Sequence, residues 1–221
     1  MKKYKKLVEV MHKINTSMNF NDLLRNIIDS AKELIGVDAA SYLVKDEETD
    51  ELIFDVVISD KGQIITGKRL KIGEGVAGHV AQTKQPLIIN DVTSCDIFCN
   101  SIDQMSGYIT NNIIAVPVIV KDIIIGVIEG VNTTHAEGFT DTDVAMLEYL
   151  ADAAAIAINK HDLLVSLQNR VSELTCIYEI SQSIYFTFNI DEFLERILEA
   201  VNNIIKAKRC SFALLDDDNS K

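Results

Sequence analysis

The 221-residue sequence predicts an α/β chain of the α+β kind, a central antiparallel sheet with helices on both faces and a long linker helix after it. Three observations carry this prediction. Residues 113–120 and 123–131 are two runs rich in β-branched side chains, and neither alternates apolar with polar, so each strand is covered on both faces. Lys121-Asp122 separates them by the two residues of a tight hairpin, although without the favoured Asn-Gly or Asp-Gly chemistry. From Asp141 onward no proline interrupts a helical pattern, with Thr140 as N-cap and acidic residues in the first turn.

The other elements follow in order. Leu7, Val10, Met11 and Ile14 share a helical face, renewed after Asn19-Phe20-Asn21 by Leu23, Leu24, Ile27, Ile28, Ala31, Leu34 and Ile35. A helix over about 4–35 results, closed by Gly36. Strands are expected at 39–44 and 52–59, joined by the acidic turn Asp46-Glu47-Glu48-Thr49-Asp50. Next come a glycine-punctuated turn, a short helix to about Thr83, and an extended stretch at 86–91. Residues 92–108 have no clear period and read as loop with a helical turn.

Composition excludes several functions. With 33 acidic and 21 basic side chains the formal charge is −12, and that field repels phosphate, against nucleic-acid or anionic-membrane binding. Aromatic residues make up 6%, too few for base-stacking platforms. The most apolar region, 113–131, is broken by Pro117 and Lys121-Asp122 and does not span a bilayer. No signal peptide follows the basic N-terminal residues, and Cys95, Cys99, Cys176 and Cys210 form no C-x-x-C pair, so a soluble, cytoplasmic protein is expected.

The tail repeats the head at an offset of 170. Residues 19–24 fall on 189–194, and Ile27, Ile28, Ala31, Leu34 and Ile35 fall on Ile197, Leu198, Val201, Ile204 and Ile205. Ser41-Tyr42 falls on Ser211-Phe212 and Asp46 on Asp216. This reads as the opening helix and first strand of a second copy.

Enzyme motifs fail on context. Gly73-Glu74-Gly75-Val76-Ala77-Gly78 matches the dinucleotide fingerprint, but the preceding Lys68-Arg69-Leu70-Lys71-Ile72 is too charged for a buried parallel strand. His135-Ala136-Glu137 lacks the P-C-x-x-C of a zinc deaminase, and Cys95 with Cys99 lacks companions for a tetrahedral metal site. No catalytic residue or metal site is expected.

Several segments together resemble the GAF domain family of small-molecule sensor modules. They are Ile72-Gly73-Glu74-Gly75-Val76-Ala77-Gly78-His79-Val80-Ala81, Pro86-Leu87-Ile88-Ile89-Asn90-Asp91, Ile114-Ala115-Val116-Pro117-Val118, Ile125-Gly126-Val127-Ile128-Glu129-Gly130-Val131-Asn132 and Phe139-Thr140-Asp141-Thr142-Asp143. The resemblance implies a GAF/PAS-like fold, with a sensor domain at 1–159, a helical linker at 160–174 and a truncated second copy at 175–221. It implies the input half of a signalling protein, without catalytic activity. Cyclic-nucleotide-binding members carry an Asn-Lys, Phe and Asp-Glu pattern. Asn132, Phe139 and Asp143 match it, whereas Thr133 stands at the lysine and Val144 at the glutamate. A cyclic nucleotide is a candidate effector, and no cofactor is otherwise implied. The rival readings are a dimerisation module with no ligand and a GAF-fold methionine sulfoxide reductase using Cys95 or Cys99.

Two sites are expected. The polar, non-periodic stretch 90–112 is long for a connection, and Asn90, Asp91, Phe98, Tyr108, Thr110 and Asn111 offer the hydrogen bonds and aromatic faces of an effector pocket. In the long helix, Leu164, Leu167, Val171, Leu174 and Tyr178 follow a/d spacing, flanked by Arg170 and Glu173, as the seam of a parallel homodimer. Packing of that face on the N-terminal helix is the intramolecular alternative.

Overall fold

Residues 20–59, 65–186, 190–206, 209–211 and 213 are described by a computed structural model, with backbone only for 183–186 and 190–193. The chain divides into two units, Met1–His161 and Asp162–Lys221.

In the first unit, helix α1 (Phe20–Ile35) leads through Gly36, at φ 63°, into strands β1 (Val37–Asp46) and β2 (Glu51–Ile58). The part of the expected first helix before Phe20 lies outside the described residues. A three-residue strand β3 (Arg69–Lys71) precedes helix α2 (Gly75–Thr83) and strand β4 (Leu87–Ile89). The connection after β4 holds a 3-10 turn at Val92–Ser94 and the short helix α3 (Ser101–Ser106). The hairpin β5 (Ile113–Val120) and β6 (Ile123–Thr133) follows, then helix α4 (Asp141–Phe186).

The six strands are ordered β3-β2-β1-β6-β5-β4, and every neighbouring pair is antiparallel. The charged segment before the glycine turn is therefore an edge strand, where Arg69 and Lys71 stay in water and only Leu70 is buried. Arg69 holds Asp46 and Glu51 at 2.8 and 3.1 Å across the same edge. At the hairpin tip Lys121 and Asp122 take φ 49° and 66°, the two left-handed positions of a type I′ turn.

The lack of alternation in β5 has a direct cause. Ile114, Val116 and Val118 enter one core with Leu24, Ile27, Ile28, Ala31 and Ile35 of α1 and Leu147, Leu150, Ala151 and Ala154 of α4. Ile113 and Ala115 face the opposite core, with Val76, Ala77 and Val80 of α2 and Leu43, Leu52 and Phe54 of the sheet. Each fully buried Ile or Leu contributes about 1.5–3 kcal/mol, so both faces of the sheet hold it closed. The stack of Phe20 on His161, with centroids 4.0 Å apart and planes 8° from parallel, joins the start of α1 to α4.

The glycine turn serves packing between α2 and the sheet edge. A Cβ on Gly78 would stand 2.5 Å from the Lys71 carbonyl oxygen, so only glycine lets α2 approach β3 this closely.

In the second unit the distal part of α4 leads to helix α5 (Ile190–Ile205). Shifted by the sequence offset of 170, α1 coincides with α5 end for end, and Gly36 falls on Lys206, whose φ of 51° is likewise left-handed. The strand and turn expected at Phe212 and Asp216 lie outside the described residues. Along α4, Leu164, Leu167, Val171, Leu174 and Tyr178 are all exposed on the single chain.

Candidate functional site

The second face of the sheet is not filled completely. Between β1, β2 and β6 on one side, and the 98–110 segment with the start of α2 on the other, lies a cleft with a cavity volume of about 90 Å³. Its walls are mostly apolar, with Phe54, Val57, Ile65, Leu70, Phe98, Ile102 and Val131 among them. Lined this way, and with few polar groups converging on it, the cleft has the make-up of a small-molecule site.

The polar groups are specific. Glu129 projects from the middle of β6, opposite Ser41 of β1, and is nine-tenths buried. Ser41 Oγ donates to Glu129 Oε1 at 2.9 Å, and Oε2 has no hydrogen-bond partner among the described residues. Burial pushes the Glu129 carboxyl up to about 7; the Ser41 hydrogen bond opposes this, and the charge of Asp103 reinforces it. Asp103, on α3, accepts the Thr110 N–H at 2.7 Å and the Thr110 hydroxyl at 2.8 Å, fixing the loop that roofs the cleft. Tyr108, Ser106 and Ser59 add to the polar lining. No Lys, Arg or His lines the cleft among the described residues.

Cys99 also lines the cleft, its thiol 3.2 Å from Ser101 Oγ and 3.9 Å from Glu74 Oε1. Cys95 packs beside the second core, and both thiols are free. Among the described residues no group of three or more His, Cys, Asp or Glu side chains is placed to hold a metal ion.

Of the expected pocket residues, Phe98, Tyr108 and Thr110 line the cleft, whereas Asn90, Asp91 and Asn111 stand outside its lining. Asn90 clamps the backbone of Phe139, accepting its N–H at 2.7 Å and donating to its carbonyl at 3.1 Å. A Cβ on the intervening Gly138 would stand 2.5 Å from Asn90 Oδ1, so glycine keeps that clamp possible. Asp91 accepts from the N–H and hydroxyl of Thr93 at 3.0 and 2.6 Å, bonds that hold its carboxyl below the ordinary range. The Asn111 N–H donates to Asn132 Oδ1 at 2.7 Å, and Asn132 Nδ2 donates to the Ile109 carbonyl at 2.7 Å. Asp143 accepts from the N–H and hydroxyl of Thr140 at 3.0 and 2.8 Å and closes the first turn of α4.

Asn132 therefore ties β6 to the cleft's roof and Asp143 closes the start of α4, while Phe139 is buried in the first core with its backbone held by Asn90. Sequence reasoning missed Glu129, Ser41 and Asp103. The available signal was Glu129 itself, the one charged side chain in the otherwise uncharged run 123–131.

The fold is an α+β module, an antiparallel sheet with helices on both faces and a cleft on one of them. The GAF domain model matches residues 17–159, and the chain belongs to the GAF domain family. Among curated relatives, the probable 3',5'-cyclic phosphodiesterase pde-5 of Caenorhabditis elegans is 24% identical over 205 residues, which cover 88% of this chain and 28% of that protein. The dual 3',5'-cyclic-AMP and -GMP phosphodiesterase 11A of Takifugu rubripes is 26% identical over 151 residues, covering 67% and 17%. The chain thus spans between a sixth and a third of these relatives. The GAF domain of a phosphoenolpyruvate-protein phosphotransferase from Coxiella burnetii shares the fold with TM-score 0.67 at 20% identity, over 74% of this chain and 96% of that one. A free methionine-R-sulfoxide reductase from Neisseria meningitidis, solved with its substrate, does so with TM-score 0.61 at 20% identity, over 71% and 88%. No helix among the described residues is long and apolar enough to cross a membrane.

Proposed function

We propose that the chain is the sensor part of a larger signalling protein, binding a small effector in the cleft over Glu129 and passing the change along α4. The observation that carries this reading is the cleft's connection to the helix. Its roof, residues 98–110, is tied to β6 through Asn132, and the strand leading into that connection is clamped to the start of α4 through Asn90 and Phe139. An effector that draws the roof inward pulls on both ties, and a long helix converts a small displacement into rotation or register shift.

The family match supports a regulatory rather than catalytic role, and the phosphodiesterase relatives nominate cyclic nucleotides for first testing. A thermal-shift titration with cyclic AMP and cyclic GMP reads this directly, because a ligand of the folded state raises the melting temperature by mass action. The reductase reading rests on Cys99 in the cleft wall, and the expected outcome is no turnover of free methionine sulfoxide.

Onward transmission is proposed to use a parallel homodimer through Leu164, Leu167, Val171, Leu174 and Tyr178. This row is exposed on the single chain, and a helix of such length gains most of its stability from a partner. Leu167→Asp with Leu174→Asp is expected to give a folded monomer by light scattering, and a parent already monomeric at tens of micromolar would overturn the dimer. The matching bounds of α1 and α5 support reading 175–221 as the start of a second sensor domain, with 160–174 as the linker.

A further inference from the structure

The geometry points to a small organic cation, a protonated amine on an apolar body, as the class of effector that this cleft takes. The assignment rests on the effector-site reading above and narrows it. Glu129 is nine-tenths buried, yet only one of its two carboxylate oxygens is engaged, by Ser41, while the other has no partner among the described residues. Among the described residues no buried side-chain nitrogen or oxygen lacks a partner, so Oε2 stays accessible, and a ligand N–H entering the cleft can bond it in place of water.

Among the described residues every charged group lining the cleft has the same sign. Asp103 on α3 joins Glu129 on β6; Tyr108 and Cys99 are the other titratable side chains in the lining, and no cationic group opposes them among the described residues. The chain's net charge of −12 adds a long-range field that concentrates cations and repels phosphate. Apolar walls from Phe54, Val57, Phe98 and Val131 suit a hydrocarbon body behind the ammonium group. The cavity volume of about 90 Å³ suits a small body, being on the order of several waters at ~10–15 Å³ each.

Protonation supplies an independent signature. The carboxyl titrates near 7 in the unliganded protein, and an ammonium group binds its ionised form. Amine affinity therefore climbs as pH rises from 6 to 8. A ligand that accepts a proton from neutral Glu129 shows the reverse.

The test is calorimetric titration of the whole chain with isoamylamine hydrochloride, its uncharged isostere isoamyl alcohol, cyclic AMP and cyclic GMP, at pH 6, 7 and 8. The amine is expected to bind about tenfold or more tightly than the alcohol, with affinity rising with pH, and Glu129→Gln to erase both differences. Lys61 lies outside the described residues, between Ser59 and Ile65. Lys61→Ala is expected to leave amine affinity unchanged; a gain would make Lys61 the carboxylate's own partner and overturn the assignment. If Glu129→Gln does not fold, the amine–alcohol difference and the pH trend in the parent decide alone. Nucleotide binding without amine binding overturns the ligand class and leaves the sensor reading standing. Absence of heat with all four compounds at about 10 mM overturns both.

Discussion

Replacing Glu129 with Gln is expected to stabilise the unliganded protein at pH 8 and to change how its stability depends on pH. The substitution keeps an oxygen to accept from Ser41 and removes only the charge. The carboxyl lies at about 7 in the folded chain against an ordinary 4.5. Below 4.5 it is protonated in both states and contributes no difference. Between 4.5 and 7 the unfolded chain releases its proton first, so stability falls as pH rises; above 7 the loss is complete. At about 1.4 kcal/mol per pH unit the full loss is about 3 kcal/mol. Asp46 and Asp91, held low by Arg69 and Thr93 respectively, lose their contributions only in more acidic solution. Asp55, raised by burial, is common to both proteins and cancels in their difference. Urea unfolding of parent and variant at pH 5, 6, 7 and 8 measures that difference. It should open from under about 1 kcal/mol at pH 5 to about 3 kcal/mol at pH 8 in favour of the variant. A difference constant across the four pH values would refute the burial of a titrating carboxylate in the cleft.

The remaining predictions concern the scaffold around the site. Asn90→Ala removes both bonds to the Phe139 backbone and should cost about 1–3 kcal/mol in urea unfolding, with parallel denaturant slopes. Asp143→Ala leaves Thr140 without its acceptor and should cost about 1 kcal/mol in the same assay. Changing Lys121-Asp122 to Asn-Gly supplies residues suited to two left-handed positions and should stabilise by about 1 kcal/mol, raising the melting temperature.

Much of the fold is written in local patterns. The two β-branched runs that do not alternate apolar with polar announce strands covered on both faces, and the structure covers them with α1 and α4 on one side and α2 on the other. The glycine turn is legible as a place of close backbone approach, which Gly78 makes against Lys71. The site is less legible because a polar loop residue has two uses that sequence cannot separate. Asn90 and Asn132 have the chemistry to meet a ligand, yet in this chain both spend it on backbone groups distant in sequence. Glu129 is the converse case: one charge in an apolar strand carries no period, and its importance emerges only when Ser41, 88 residues away, is brought opposite it.

The central claim is that an effector enters the cleft over Glu129 and is felt at the start of α4. Backbone amide NMR of the chain, titrated separately with isoamylamine, cyclic AMP and cyclic GMP, tests it most directly. The account predicts that at least one compound shifts the resonances of Ser41, Glu129 and residues 98–110 together with those of 139–147. No shift with any of the three, or shifts confined to other surfaces, would contradict it.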